Sequence, residues 1–374
     1  MTLRIAWFGT YDPGYPRNRV LIDGLRAAGA EVLEYAAPLD ASLTAARLAT
    51  AGGAGKLAGE LARAHLSLLL RHQRTVTFDV VVVGYPGHLL VPFGWATARY
   101  RRALLVFDPL VSLFDTFAGD RELVAATSPA GTVANGVDHV SFRLPDVVLA
   151  DTAEHAAYYT HVLGVPEERL AVVPVGALPV AGATGSAREP ASGEPLTVLQ
   201  YGRWSPLHGL DVVLAAADEL RDEPFRFELV GGGQLSPWLA DEVAARGLAN
   251  VELVDELPGW RLRARVVEAD VCLGVFGLSA KARRVIPNKV YDALAAGRPV
   301  VTQDSPAARE LLTDGRDALL VPTGDAGALA AALRRLGDRA ERGRLGAAAL
   351  ALYRRRCTPE AVAADLLAAL EARL

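Results

Sequence analysis

Cysteine is almost missing from this chain of 374 residues: Cys272 and Cys357 are the only two. Two thiols give no disulfide framework and no thiolate metal site. Long apolar runs are missing as well. The stretch Val80–Leu90 is interrupted by Gly84, Pro86 and His88, short of the roughly 18 residues of a membrane span. The opening MTLRIAWFG has neither the cationic start nor the long apolar core of a signal peptide. A net charge of −4 argues against a general nucleic-acid binder, which would be basic overall. These absences lead to the expectation of a soluble, cytoplasmic protein with no nucleic-acid partner.

Several catalytic signatures are absent too. Gly231–Gly233 would need a further glycine at 236 to make a dinucleotide fingerprint, and Ser236 stands there, so NAD binding is not expected. There is no G-x-x-x-x-G-K-[ST] phosphate loop and no G-x-S-x-G nucleophile elbow. No D-x-D pair is present to hold a divalent ion on a nucleoside diphosphate, and the seven histidines show no H-x-x-x-H spacing. His155 and His161 lie on a helical stretch, where packing or surface roles are commoner than ligation. No metal and no cofactor is expected.

What the chain does have is alternation. Leu3–Phe8, Glu31–Tyr35, Phe78–Gly84, Ala103–Phe107, Pro145–Asp151 and Ala171–Pro174 read as buried strands, with helical patterns between them and mostly helical sequence over Ala41–Arg74. The segment Gly176–Pro195 is rich in Gly, Ala, Pro and Ser and breaks the pattern. The alternation then resumes with Thr197–Tyr201, Phe225–Val230, Val251–Val254, Val271–Val275, Pro299–Thr302 and Ala318–Val321. The expectation is an α/β chain of two doubly wound, Rossmann-like domains, 1–178 and 197–356, joined by a linker, 179–196. A last helix, 357–374, is expected to pack on the first domain. In such sheets ligands gather where strands end in their carboxyl edge.

The stretch Gly274–Gln303 stands out. The segment Ser279–Lys289 reads as a basic loop carrying Lys281, Arg283, Arg284 and Lys289 with no acidic residue, and Pro287 is placed to open the next helix. Lysine in a first turn opposes the helix dipole, so cations beside free helix N–H groups suit a bound anion such as phosphate. Lys289 and Asp292 share a helix face. Arg203, directly after a strand, offers a guanidinium fork for a diphosphate. The plainer alternative is a surface loop with solvated charges and a local salt bridge.

Taken together, GRWSPLHG (Gly202–Gly209), ELVGGG (Glu228–Gly233), VIPNKVYDALAAGRPVVT (Val285–Thr302) and ELLTDGRDALLVPTGD (Glu310–Asp325) resemble the retaining family-4 glycosyltransferases, in a branch with a P-x-K helix start. The likeness is strongest over residues 197–335. It implies the GT-B architecture, two Rossmann-like domains facing each other across a cleft, and transfer of a sugar from a nucleoside-diphosphate donor to an acceptor hydroxyl. The family's diphosphate-binding Arg-Lys pair falls on Arg203 and His208, so the lysine has become histidine here, with Lys289 able to replace its charge. The second acidic residue of the family's E-x7-E element falls on Asp292, implied to hold the ribose. The first is missing. Asp108 matches the aspartate of a His-Asp pair whose histidine is Phe107 here. The resemblance also implies Gly14, Arg17, Gly232, Leu257, Phe276, Gly277, Lys281 and Asn288 around the donor, and Arg203, Lys289 and Asp108 in catalysis without a metal.

The acceptor stays open among a glycan, a lipid-linked glycan and a small natural product. Residues 56–105 carry seven cations against two anions, interleaved with Phe93, Trp95 and Tyr100. They read either as amphipathic helices packed on a sheet, the favoured view, or as a peripheral contact with the inner face of a membrane. Two other functions share this architecture: a nucleotide-sugar epimerase or phosphorylase-like enzyme, and a non-catalytic two-lobed sugar-binding protein. The lack of an export signal and the cationic phosphate positions disfavour the last.

Overall fold

The computed structural model describes residues 2–37, 56, 59–60, 63–64, 77–188 and 193–374. Most of the helical expectation for Ala41–Arg74, and with it much of the basic stretch 56–105, lies outside the described residues. The chain divides into two compact units, Met1–Val175 with Pro359–Leu374, and Gly176–Thr358.

In the first unit the strands β1 (Arg4–Gly9), β2 (Glu31–Ala36), β3 (Val80–Val83), β4 (Leu104–Phe107), β5 (Val147–Ala150) and β6 (Leu170–Val172) form a parallel sheet in the order β2-β1-β3-β4-β5-β6. β3 is four consecutive buried valines, as expected of a strand covered on both faces. Helices α1 (Pro16–Ala27), α2 (Val91–Arg101), α3 (Pro129–Arg143) and α4 (Ala153–Leu163) link the strands. Ser128 and Thr152 cap the last two, each side chain accepting from a first-turn backbone N–H. The C-terminal helix Pro359–Glu371 packs on α1. Gly24 makes that contact possible, because a Cβ there would lie 1.9 Å from the Pro359 carbonyl oxygen.

The second unit holds β7 (Leu196–Trp204), β8 (Phe225–Gly233), β9 (Val251–Val254), β10 (Val271–Leu273), β11 (Val300–Gln303) and β12 (Leu319–Val321), parallel in the order β12-β11-β10-β7-β8-β9. Its helices are α5 (Leu210–Glu219), α6 (Ser236–Arg246), α7 (Gly259–Glu268), α8 (Ala280–Arg284), α9 (Asn288–Ala296), α10 (Pro306–Leu311), α11 (Ala326–Arg335) and α12 (Arg339–Arg356). The order reverses between β7 and β10, which places a ligand crevice at their carboxyl ends.

Two expectations need correction here. The supposed loop Ser279–Lys289 contains the short helix α8, because Ser279 Oγ accepts from the Ala282 N–H at 3.2 Å and Gln303 Nε2 donates to the Ala282 carbonyl at 2.7 Å. The coreless segment after residue 176 also does more than connect. Ala177 N donates to the Cys357 carbonyl, and Gly185 sits so close to Gly297, Gly346 and Ala347 that a Cβ on it would come within 2.7 Å of the Ala347 Cα. Small residues there serve close backbone packing, so composition alone misread a packed strap as a spacer.

Candidate functional site

β7 runs out of the second unit's core at Tyr201 and continues through Gly202, Arg203 and Trp204. Gly202 has φ +140, and a Cβ on it would lie 2.9 Å from His208 Nε2 and 3.6 Å from Lys289 Nζ. A bare backbone here lets an imidazole and an ammonium approach the strand end together. The next strand matches it: Gly231, at φ +143, would drive a Cβ to 2.0 Å from the Gly202 carbonyl oxygen, so the paired strand ends are glycine on both sides. Gly232 pairs with Arg203 in register, and a Cβ on it would meet Ser236 Oγ at 3.9 Å, an ordinary contact.

The loop after β10 folds onto the loop after β7. Phe276 N donates to the His208 carbonyl at 3.2 Å and Gly277 N to the Leu207 carbonyl at 3.1 Å. Gly209 and Gly277 permit this, since a Cβ on either would come within 2.4 Å of the opposing backbone. The Phe276 ring is fully buried beneath. His208 closes a capping box with Ser205, its Nδ1 accepting from the Ser205 N–H at 3.3 Å. Nδ1 also lies 3.3 Å from the Ser205 carbonyl oxygen, and Nε2 is the nitrogen beside Gly202. Trp204 packs edge-on against the imidazole, 5.6 Å between centroids.

Helix α9 supplies the central cation. Pro287 is its N-cap, Asn288 and Lys289 form the first turn, and Gly297 ends it in the left-handed region. Lys289 is 5 % exposed, and among the described residues its Nζ makes no hydrogen bond and no ion pair. The Tyr201 ring lies beside it, its centroid 5.7 Å from Nζ. Burial brings its pKa down to about 7. A buried ammonium with no counter-charge costs several kcal/mol (~2–5) relative to a paired one. One turn on, Asp292 is half-buried and accepts from the Tyr201 hydroxyl at 2.6 Å. Burial raises its pKa, against the opposing pull of that hydrogen bond and of Arg263. Tyr201 was not singled out in the sequence. Its position as the last core residue before Gly202 is the only signal it offers.

The other expected donor residues of this unit lie at strand ends or on the segments that follow them. Arg203 is exposed and makes no side-chain hydrogen bond or ion pair among the described residues. Lys281 is buried on α8, Asn288 half-buried at the start of α9, and Leu257 half-buried in the loop after β9.

In the first unit the expected residues have other partners. Arg17 and Asp108 are fully buried and face one another, Nε to Oδ2 at 3.0 Å and Nη2 to Oδ1 at 3.1 Å. Arg17 Nη1 also donates to the Val173 carbonyl at 2.9 Å and to that of Pro174. The pair ties α1 to β4 and to the chain beyond β6, a structural use that the sequence reading did not foresee. Gly14 is exposed, its N–H donating to Asp12 Oδ1 at 2.8 Å. Two further buried groups organise the ends of the strands. Asp138 accepts from Ser112 Oγ, Leu113 N and Phe114 N, fixing the loop after β4, and Asp151 pairs with His155 at 2.6 Å. His88, edge-on to Phe107 at 5.1 Å, has its Nε2 2.8 Å from the Val111 carbonyl, and burial lowers its pKa.

In the described part of the basic stretch, Trp95 and Tyr100 are exposed, Arg99 pairs with Asp146 at 2.7 Å and Arg101 lies over the Tyr100 ring. No helix among the described residues is long and apolar enough to cross a membrane.

Residues 195–339 match the family described as Glycosyl transferases group 1. The chain is 30 % identical over 243 residues to the putative colanic acid biosynthesis glycosyltransferase WcaL of Salmonella typhimurium, covering 58 % of this chain and 57 % of WcaL. It is 32 % identical over 150 residues to the amylovoran biosynthesis glycosyltransferase AmsK of Erwinia amylovora, covering 39 % and 37 % of the two chains. The chain therefore spans little more than half the length of these curated relatives at most. Among solved structures, Anabaena HepE in complex with UDP-glucose superposes with a TM-score of 0.69 at 15 % identity, covering 99 % of this chain and 100 % of HepE. Sucrose-phosphate synthase of Thermosynechococcus elongatus gives 0.71 at 20 % identity over 99 % and 98 %. The fold is that of the GT-B glycosyltransferases, with two Rossmann-like domains.

Proposed function

We propose that this protein is a retaining glycosyltransferase that takes a sugar from a nucleoside-diphosphate donor held by the second unit. The observation that carries the proposal is the buried, unpaired Lys289 Nζ beside bare Gly202 and His208 Nε2, at the reversal of the sheet. Two phosphate groups supply the negative charge that this site lacks. Lys289 and exposed Arg203 neutralise the diphosphate, and His208 Nε2 donates to one of its oxygens. Asp292, oriented by Tyr201, accepts from the ribose hydroxyls.

In the reaction the bond between the anomeric carbon and the diphosphate oxygen breaks as the acceptor oxygen bonds to the same carbon on the same face. The acceptor's proton passes to the departing phosphate oxygen. Positive charge beside the leaving group, held more strongly as negative charge develops there, lowers the barrier without a metal. The relatives' roles in colanic acid and amylovoran synthesis support a growing polysaccharide as the acceptor.

Calorimetric titration with UDP, GDP, dTDP and ADP, first metal-free and then with magnesium, tests the donor site. One nucleotide should bind without metal, and Arg203→Ala and Lys289→Ala should each weaken it at least about tenfold. Binding of none of the four at millimolar concentration overturns the reading. Product formed with inverted anomeric configuration would refute retention alone.

A further inference from the structure

The chain leaves the carboxyl edge of β9 through Asp255–Pro258 and enters α7, whose recorded buried residue is Val266 alone. At the start of that helix Trp260 is 71 % exposed, and the Arg261 guanidinium lies over its ring, 5.1 Å from the centroid. Burying an indole is worth about 1.5–3 kcal/mol, so a tryptophan held out at the ligand end of a sheet forgoes a large stabilisation.

The helix also has a direction. Arg263, three residues on, lies on the same side of α7 as Trp260. Its charge favours the ionised forms of both Asp292 and Tyr201, so the Arg263 side chain acts electrostatically on the carboxylate assigned to the ribose. α7 packs against α9, the helix that carries Asp292.

We propose that Trp260 is the stacking platform for the nucleobase of the donor. Arg261 covers one face of the indole and the base takes the other, giving a stack of guanidinium, indole and base. Each layer offers a flat surface to the next, and the cation strengthens the indole's hold. Stacking is tolerant of base identity, so this residue sets affinity, and the choice among bases is left to polar groups around it. The inference rests on the donor site proposed above.

The test is calorimetry with UDP, GDP, dTDP, ADP and inorganic pyrophosphate on the full chain, as wild type, Trp260→Ala and Trp260→Phe. Because the indole is exposed, neither substitution should disturb folding. Trp260→Ala should weaken the preferred nucleotide about tenfold, Trp260→Phe should recover most of that, and pyrophosphate should bind all three alike. Nucleotide should also quench tryptophan emission in the wild type more than in Trp260→Phe. An unchanged nucleotide affinity in Trp260→Ala, or an equal loss for pyrophosphate, overturns the stacking role while the donor site stands. A wild type that binds none of the nucleotides overturns both.

Discussion

The two units share an architecture and differ in one buried charge beside the ends of their strands: the second pairs Asp270 with Arg188 as the first pairs its own, but leaves Lys289 alone among the described residues. In the first, Arg17 meets Asp108, Asp151 meets His155, and Asp138 accepts three hydrogen bonds. In the second, Lys289 is as deeply buried as these groups and its Nζ has no partner. Paired charges in an interior hold elements in register. An unpaired one destabilises the free protein and is retained where a ligand completes it. On the proposed function, the contrast separates strand-end charges that serve the fold from one that serves a ligand.

The largest effect should come from breaking the closed pair of the first unit. Asp108→Ala leaves the Arg17 guanidinium buried without its carboxylate and should lower unfolding stability by about 3–5 kcal/mol in urea denaturation. Replacing both together, as Arg17→Met with Asp108→Leu, should recover much of it. A single variant of unchanged stability would show that the pair is not structural.

The same experiment on the second unit should give the opposite sign. Lys289 has a folded pKa of about 7 and an ordinary value of 10.5 when unfolded. Between those pH values the unfolded chain binds more protons, so this group's penalty is complete below pH 7 and fades as pH rises toward 10.5. Lys289→Met should therefore be more stable than the wild type by roughly 2–4 kcal/mol at pH 6, the gap closing by pH 10. A destabilised variant at pH 6 would remove the distinction between the lobes. At the small end, Arg4→Ala breaks a half-exposed pair with Glu31 and should change stability by less than about 1 kcal/mol.

Particular residues show how far the sequence could be read. The strands were legible because valine-rich runs such as Val80–Val83 belong to a sheet covered on both faces. The helix Asn288–Ala296 was bounded by Pro287 and Gly297, and a lysine in its first turn already ran against the dipole. What stayed hidden depends on distance in the chain. Arg17 and Asp108 are 91 residues apart, and no local pattern distinguishes a cation bound for a phosphate from one bound for a carboxylate. Tyr201 acquires meaning only through Asp292, also 91 residues away. The strap around Gly185 hid behind a linker-like composition, because small residues serve both looseness and close contact.

The central claim is that a diphosphate supplies the charge Lys289 lacks, and the direct measurement is the number of protons taken up on binding. At pH 8.5 the free lysine is mostly neutral, and an adjacent diphosphate restores its charge. Titrating the preferred nucleoside diphosphate at that pH in buffers of different ionisation enthalpy should give an uptake close to one proton per nucleotide, absent in Lys289→Met. Tight binding with no proton uptake at pH 8.5 would contradict the claim.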